Sequence, residues 1–184
     1  LIGKGGHGSM PHSALDPTPV ACEVVQAIQT MVTRRFDVFD PVVATVGRIQ
    51  SGTTSNVIPE FAEMEITLRS LSVEARARLA EAVEKLVREI PAAHGLEVSF
   101  DIEKGYPPTV NHKSGAQAVA QATKAVLGED QYMEMATPWM GAEDFSYLLE
   151  RFPGAFVFLG AAPTDGEPQP CHSSRMRLNE AAFP

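Results

Sequence analysis

The sequence predicts an α+β fold of the ferredoxin-like type, β-α-β-β-α-β, followed by the C-terminal portion of an α/β domain. Three observations predict it. Ala62, Met64, Ile66 and Leu68 alternate with Glu63, Glu65, Thr67 and Arg69, the period of a strand with one buried face. Two stretches with helical apolar spacing flank the strand-like segments of the first hundred residues. Ala155-Phe156-Val157-Phe158-Leu159 is a continuous apolar run, which suits a strand covered on both faces of an α/β sheet.

Taken in order, residues 1–6 form the end of a strand. Asp16 caps a helix that has Pro17 at its first position, and Val20, Val24, Ile28, Met31 and Val32 make its apolar face. Val42 to Ile49 is β-branched and strand-like. Gly52-Thr53-Thr54-Ser55-Asn56 is turn material, and Pro59 holds Ile58 extended. After the alternating strand, Ser72 caps a second helix with Glu74 in its first turn. Leu79, Val83, Leu86, Val87 and Ile90 form its stripe, and Pro91 and Gly95 end it. Val98, Phe100 and Ile102 then point inward from a last strand. Beyond Tyr106-Pro107-Pro108-Thr109, helices are expected over 114–127 and 141–151. The buried strand 155–159 needs neighbours that the remaining residues do not obviously supply.

Composition bounds the function. The chain has 184 residues, 44% hydrophobic and 21% charged, which allows a sizeable core. A formal charge of −8 without a Lys/Arg cluster argues against nucleic acid and against an anionic membrane surface. No apolar run reaches membrane-spanning length. Leu1-Ile2-Gly3-Lys4 has no signal-peptide layout, and the first Met is Met10, so the chain is expected to begin partway through a longer protein. Cys22 and Cys171 are too few for a disulfide framework, which favours a reducing, cytoplasmic setting. Cys171 reads as a small, partly buried residue rather than a nucleophile paired with His172.

Six residues stand out. His172 follows a Pro/Gly loop beyond the apolar run. Glu143 sits beside Gly141 at the start of an expected helix, where carboxylates are common for dipole reasons alone. His7 follows two glycines, Asn56 lies in a turn, and Arg69 ends the polar face of a strand. Taken singly, none of them specifies chemistry, and no three ligand-type residues cluster locally as a zinc site requires.

Their combination is more specific. Gly3-Lys4-Gly5-Gly6-His7 with Met10-Pro11-His12 and Asp16-Pro17 is followed by Gly52-Thr53 and Asn56-Val57-Ile58-Pro59. Gly105-Tyr106-Pro107-Pro108-Thr109-Val110-Asn111, Met140-Gly141-Ala142-Glu143-Asp144-Phe145, Pro153 to Gly160 and His172-Ser173 complete the series. In these motifs the chain resembles the aminoacylase/carboxypeptidase family of co-catalytic metallopeptidases. Within it, the likeness is to the branch of hippurate hydrolases, N-acyl-amino-acid amidohydrolases and indole-acetyl-amino-acid hydrolases.

The resemblance implies that residues 1–104 are a lid and dimerisation domain, with residues 1–4 entering from the catalytic domain. Residues 105–184 are then the C-terminal part of that α/β metallopeptidase domain. It implies hydrolysis of the amide bond of N-acyl amino acids by two divalent metals, zinc or manganese, with nickel and cobalt left open. His172 is the implied metal ligand, the other ligands and the general base preceding the lid. His7, reaching the partner subunit's site, and Asn56 would bond the oxyanion. Arg69 would pair with the substrate carboxylate, and Glu143 and Gly141 would lie by metal and substrate. Ser174 stands where relatives often have Pro, and Met176 where they often have an aromatic, which bears on packing around His172. The implied partners are a second copy and a small N-acyl amino acid or peptide.

A rival reading is a non-catalytic dimerisation module derived from the same family. The enzyme reading requires a His-x-His or Cys-x-His cluster and a Glu-Glu pair upstream of Leu1. The 184-residue polypeptide is expected to release no benzoate from hippurate with zinc or manganese added; measurable release would refute this.

Overall fold

A computed structural model describes residues 1–183. The chain divides into two compact units, Leu1–Thr109 with Met133–Tyr147, and Val110–Tyr132 with Leu148–Pro184. The first is a small α+β unit whose strands form two two-stranded sheets: β1 (Gly6–His7) with β3 (Val57–Ile58), and β2 (Val42–Ser51) with β4 (Ala62–Ser70). Both pairings are antiparallel.

Two helices cover the inner face of the larger sheet. Helix α1 spans Pro17–Arg35, and the Asp16 side chain accepts the Thr18 N–H, as the capping pattern predicts. Helix α2 spans Val73–Ala93 and is capped by Ser72, whose hydroxyl oxygen accepts from the Ala75 N–H at 3.0 Å. Pro91 lies inside α2, which runs two residues past the expected stop and turns at Gly95, φ +76. Val24, Ile28 and Met31 of α1 meet Leu79, Val83 and Val87 of α2 over Val42 and Ala44, with Met64, Ile66 and Leu68 packed against them.

A one-residue irregularity sets the outer face of this sheet. Val46 pairs with Ile66, but the next pair is Arg48 with Glu65, so Gly47 is an extra residue in β2. The inserted residue reverses the parity of the strand. It turns Arg48 outward, where Nη1 meets Glu65 Oε1 at 2.6 Å and Nη2 donates to Gln50 Oε1 at 2.6 Å. These groups are exposed, so the pair contributes under about 1 kcal/mol.

Several expected elements are not formed. No strand runs over 98–102. Only Glu97 bridges Ile2, which also bridges Phe61. Val98 and Phe100 still pack against the core, so the inward alternation holds although the ladder does not extend. The helix expected over 141–151 shrinks to α4, Ser146–Leu149. The Glu143 carbonyl accepts from both the Ser146 N–H and Ser146 Oγ, a local arrangement that starts the helix late.

In the second unit, α3 spans Lys113–Leu127, close to expectation. Residues 155–159 form no strand, and Val157, Phe158 and Leu159 are more than half exposed at 52%, 56% and 57%. A strand buried on both faces needs flanking strands, and no described residue supplies one. Instead, the Asn111 side chain takes the place of a strand neighbour at one residue. Its Nδ2 donates to the Phe156 carbonyl at 2.9 Å, and its Oδ1 accepts the Phe156 N–H at 2.7 Å. Cys22 and Cys171 are both free and exposed, so the partly buried setting expected for Cys171 is wrong. Among the described residues, no helix is long and apolar enough to cross a membrane.

Leu79 is 1% exposed at the centre of this core. Leu79→Ala is expected to cost about 2–5 kcal/mol in urea unfolding. Val38→Ala, at an 80% exposed position, should stay within about 0.5 kcal/mol of the parent. Equal losses at both positions would contradict the packing described.

Candidate functional site

Residues 2–8 lie against residues 56–61 along a run of backbone hydrogen bonds. Gly3 N donates to Glu60 O and Gly8 N to Asn56 O, each at 2.8 Å, and between them Gly6 pairs with Ile58 and His7 with Val57. The approach is close. A Cβ on Gly8 would lie 3.0 Å from the Asn56 carbonyl oxygen, and one on Gly3 would collide with the Leu15 carbonyl oxygen. Glycine at position 8 permits this ladder, which sets His7 opposite Val57, the chain neighbour of Asn56.

Both side chains are oriented by neighbours that the sequence reading did not single out. The Ser9 N–H donates to His7 Nδ1 at 3.2 Å, and Ser9 Oγ lies 2.8 Å from the same atom. A ring nitrogen that accepts a backbone N–H cannot carry the proton in the neutral imidazole, so Nε2 carries it. His7 is exposed, and its Nε2–H is a donor. Thr54 Oγ1 donates to Asn56 Oδ1 at 3.3 Å, which leaves the amide NH2 of Asn56 as its donor end. A serine two residues after the histidine and a threonine two before the asparagine are turn-type placements that could have signalled this.

Arg69 is elsewhere. It lies seven residues along β4 from Ala62, roughly 23 Å at the rise of an extended strand. His7 and Asn56 lie beyond the Ala62 end of that strand, so one copy of the chain separates these donors from Arg69 by more than the length of a small substrate. Arg69 Nη1 donates to the Met140 carbonyl at 3.2 Å, which brings Arg69 to the segment containing Gly141 and Glu143. Gly141 carries the Trp139 ring where a Cβ would sit. Glu143 is half-buried, and its Oε1 accepts the Phe145 N–H at 3.4 Å. Arg69, Gly141 and Glu143 thus share one neighbourhood, although Glu143 precedes α4 instead of occupying its first turn.

His172 lies in the second unit, exposed in a turn. Its φ is 69°, and it is the single non-glycine residue with positive φ among those described. Histidine tolerates this region better than most residues, and such conformations cluster at functional positions. No group of three His, Cys, Asp or Glu that could hold a metal ion occurs among the described residues. The residues present therefore do not by themselves fit a metal centre.

Comparison with known proteins adds a family. Residues 1–95 match the peptidase dimerisation domain. The chain is 35% identical to thermostable carboxypeptidase 1 of Saccharolobus solfataricus over 97% of its own length and 45% of that protein. It is 34% identical to the N-acetyldiaminopimelate deacetylase of Priestia megaterium, covering 100% of this chain and 47% of the relative. It is 32% identical to the IAA-amino acid hydrolase ILR1-like 2 of Arabidopsis thaliana, covering 42% of that protein. Among solved structures, one from methicillin resistant Staphylococcus aureus, described as an aminohydrolase, superposes with a TM-score of 0.81 at 30% identity. The match covers 98% of this chain and 46% of that one. The chain spans under half the length of these relatives.

Trp139 is the sole tryptophan, so it reports on the Arg69 contact. Arg69→Ala is expected to release the 139–143 segment and raise acrylamide quenching of the tryptophan fluorescence. Unchanged quenching would show that the Arg69–Met140 bond does not hold it.

Proposed function

The chain belongs to the family of the peptidase dimerisation domain, and from that premise we propose that it is the lid and C-terminal part of an amidohydrolase or carboxypeptidase. The reaction is hydrolysis of the amide bond of N-acyl amino acids. Relatives named as a carboxypeptidase, a deacetylase and an amino acid hydrolase all cleave bonds of that type by their names, which supports the reading. In this account residues 1–104 are a ferredoxin-like lid, and residues 105–184 return into a catalytic α/β domain.

The observation that carries the proposal is the fixed donor geometry at the β1–β3 ladder. An outward Nε2–H on His7, set by Ser9, and an amide donor on Asn56, set by Thr54, suit an oxyanion developing from a scissile carbonyl. Donors held in place before the reaction need no reorganisation when the charge appears. Arg69 offers a planar fork to the substrate carboxylate, with Gly141 and Glu143 beside it. The reading includes two divalent metal ions, zinc or manganese, with His172 as the one ligand from this chain.

The separation of His7 from Arg69 within one copy supports a pairing in which each substrate meets Arg69 of one copy and His7 of another. That makes the homodimer part of the site, and the protein should sediment as a dimer at micromolar concentration.

The test uses the whole enzyme that carries these residues. His7→Ala should lower kcat by about 10²–10³-fold with little change in KM, and Arg69→Ala should chiefly raise KM. Mixing the two variants should restore activity, because a mixed pair holds one site with both residues intact. No recovery on mixing would contradict the shared site, and full activity of His7→Ala would sink the oxyanion role.

A further inference from the structure

An open surface groove lies beside Asn56, bounded by Gly8, the start of α1 and the turn from Gly52 to Ser55. Its polar lining comes from Asp16, Thr18, Ser51, Thr53, Thr54 and Ser55, and no Lys, Arg or His lines it.

The protons along this wall can be followed. Ser51 Oγ donates to the Phe61 carbonyl at 3.1 Å, so its one proton is spent there. In the 2.9 Å contact between Ser51 and Thr18, the donor is therefore the Thr18 hydroxyl. Thr54 donates its proton to Asn56. A helix N-terminus ordinarily offers N–H groups to anions. Here Pro17 and Pro19 have none, and that of Thr18 is taken by the Asp16 carboxylate at 2.9 Å. The lone pairs of Thr18 and Thr54 and the Asp16 carboxylate remain. The side chains on this wall with assignable protons are acceptors.

We propose that this groove binds a primary ammonium group and disfavours carboxylates. Acceptor oxygens on this lining suit the protons of an ammonium, and the Asp16 carboxylate supplies the opposite charge. Its use as a specificity pocket, selecting substrates with a terminal amine near the scissile bond, rests on the hydrolase reading. The binding itself does not.

The test is an NMR titration of this chain at low salt with n-butylammonium, against butyrate as a probe of matched size. Butylammonium should shift the amides of Thr18, Thr53 and Ser55 saturably, and butyrate should not. Asp16→Asn keeps an equally good helix cap while removing the charge, and should weaken butylammonium binding about tenfold. Thr18→Val should weaken it as well, without touching the cap. Equal shifts with butyrate, or undiminished binding in both variants, would overturn the proposal. Loss of the ammonium site with rescue on mixing intact leaves the hydrolase standing, and the reverse result leaves the site standing.

Discussion

The backbone ladder between residues 2–8 and 56–61 is the constraint on which the rest of the first unit depends. It joins the segment before α1 to the turn before β4, two stretches about fifty residues apart in sequence. Its hydrogen bonds bring the two segments so close that a Cβ at Gly5 or Gly8 would crowd Ile58 or Asn56. That one requirement places His7 opposite Val57 and frames the groove lined by Asp16 and Thr18. The hydrophobic core beneath supplies most of the stability, but it does not by itself fix where these polar groups stand.

Much of the first unit was legible because its signals are local. Asp16 and Ser72 cap the two helices that their patterns announce, and β4 keeps its alternation from Ala62 through Leu68. The bulge at Gly47 was not legible, since it depends on register against a partner strand. The strand expected after α2 failed for a similar reason. Val98 and Phe100 are satisfied by packing alone, and only Glu97 finds a ladder partner. The apolar run 155–159 misled in a different way. Its composition suits a doubly covered strand, but composition cannot supply the neighbours, and the side chain of Asn111 substitutes at Phe156 alone.

For the candidate site, residue types were legible and their orientation was not. Arg69 beside the Met140–Glu143 segment joins residues that the sequence separates by about seventy positions. Ser9 and Thr54 matter only through which atom of His7 or Asn56 they engage, information that no spacing contains. The left-handed backbone of His172 likewise has no signature in composition. His7 and Asn56 stand beyond one end of β4 and Arg69 near the other, a spread that follows from the register of the strands and not from any local signal.

The central claim is that the ladder presents His7 as a fixed donor through Nε2. Nitrogen-15 NMR of the imidazole tests it most directly, because the two ring nitrogens report separately which of them is protonated. The account predicts the Nε2–H tautomer for the neutral ring of His7. A dominant Nδ1–H tautomer would contradict it, since Nδ1 could not then accept from Ser9.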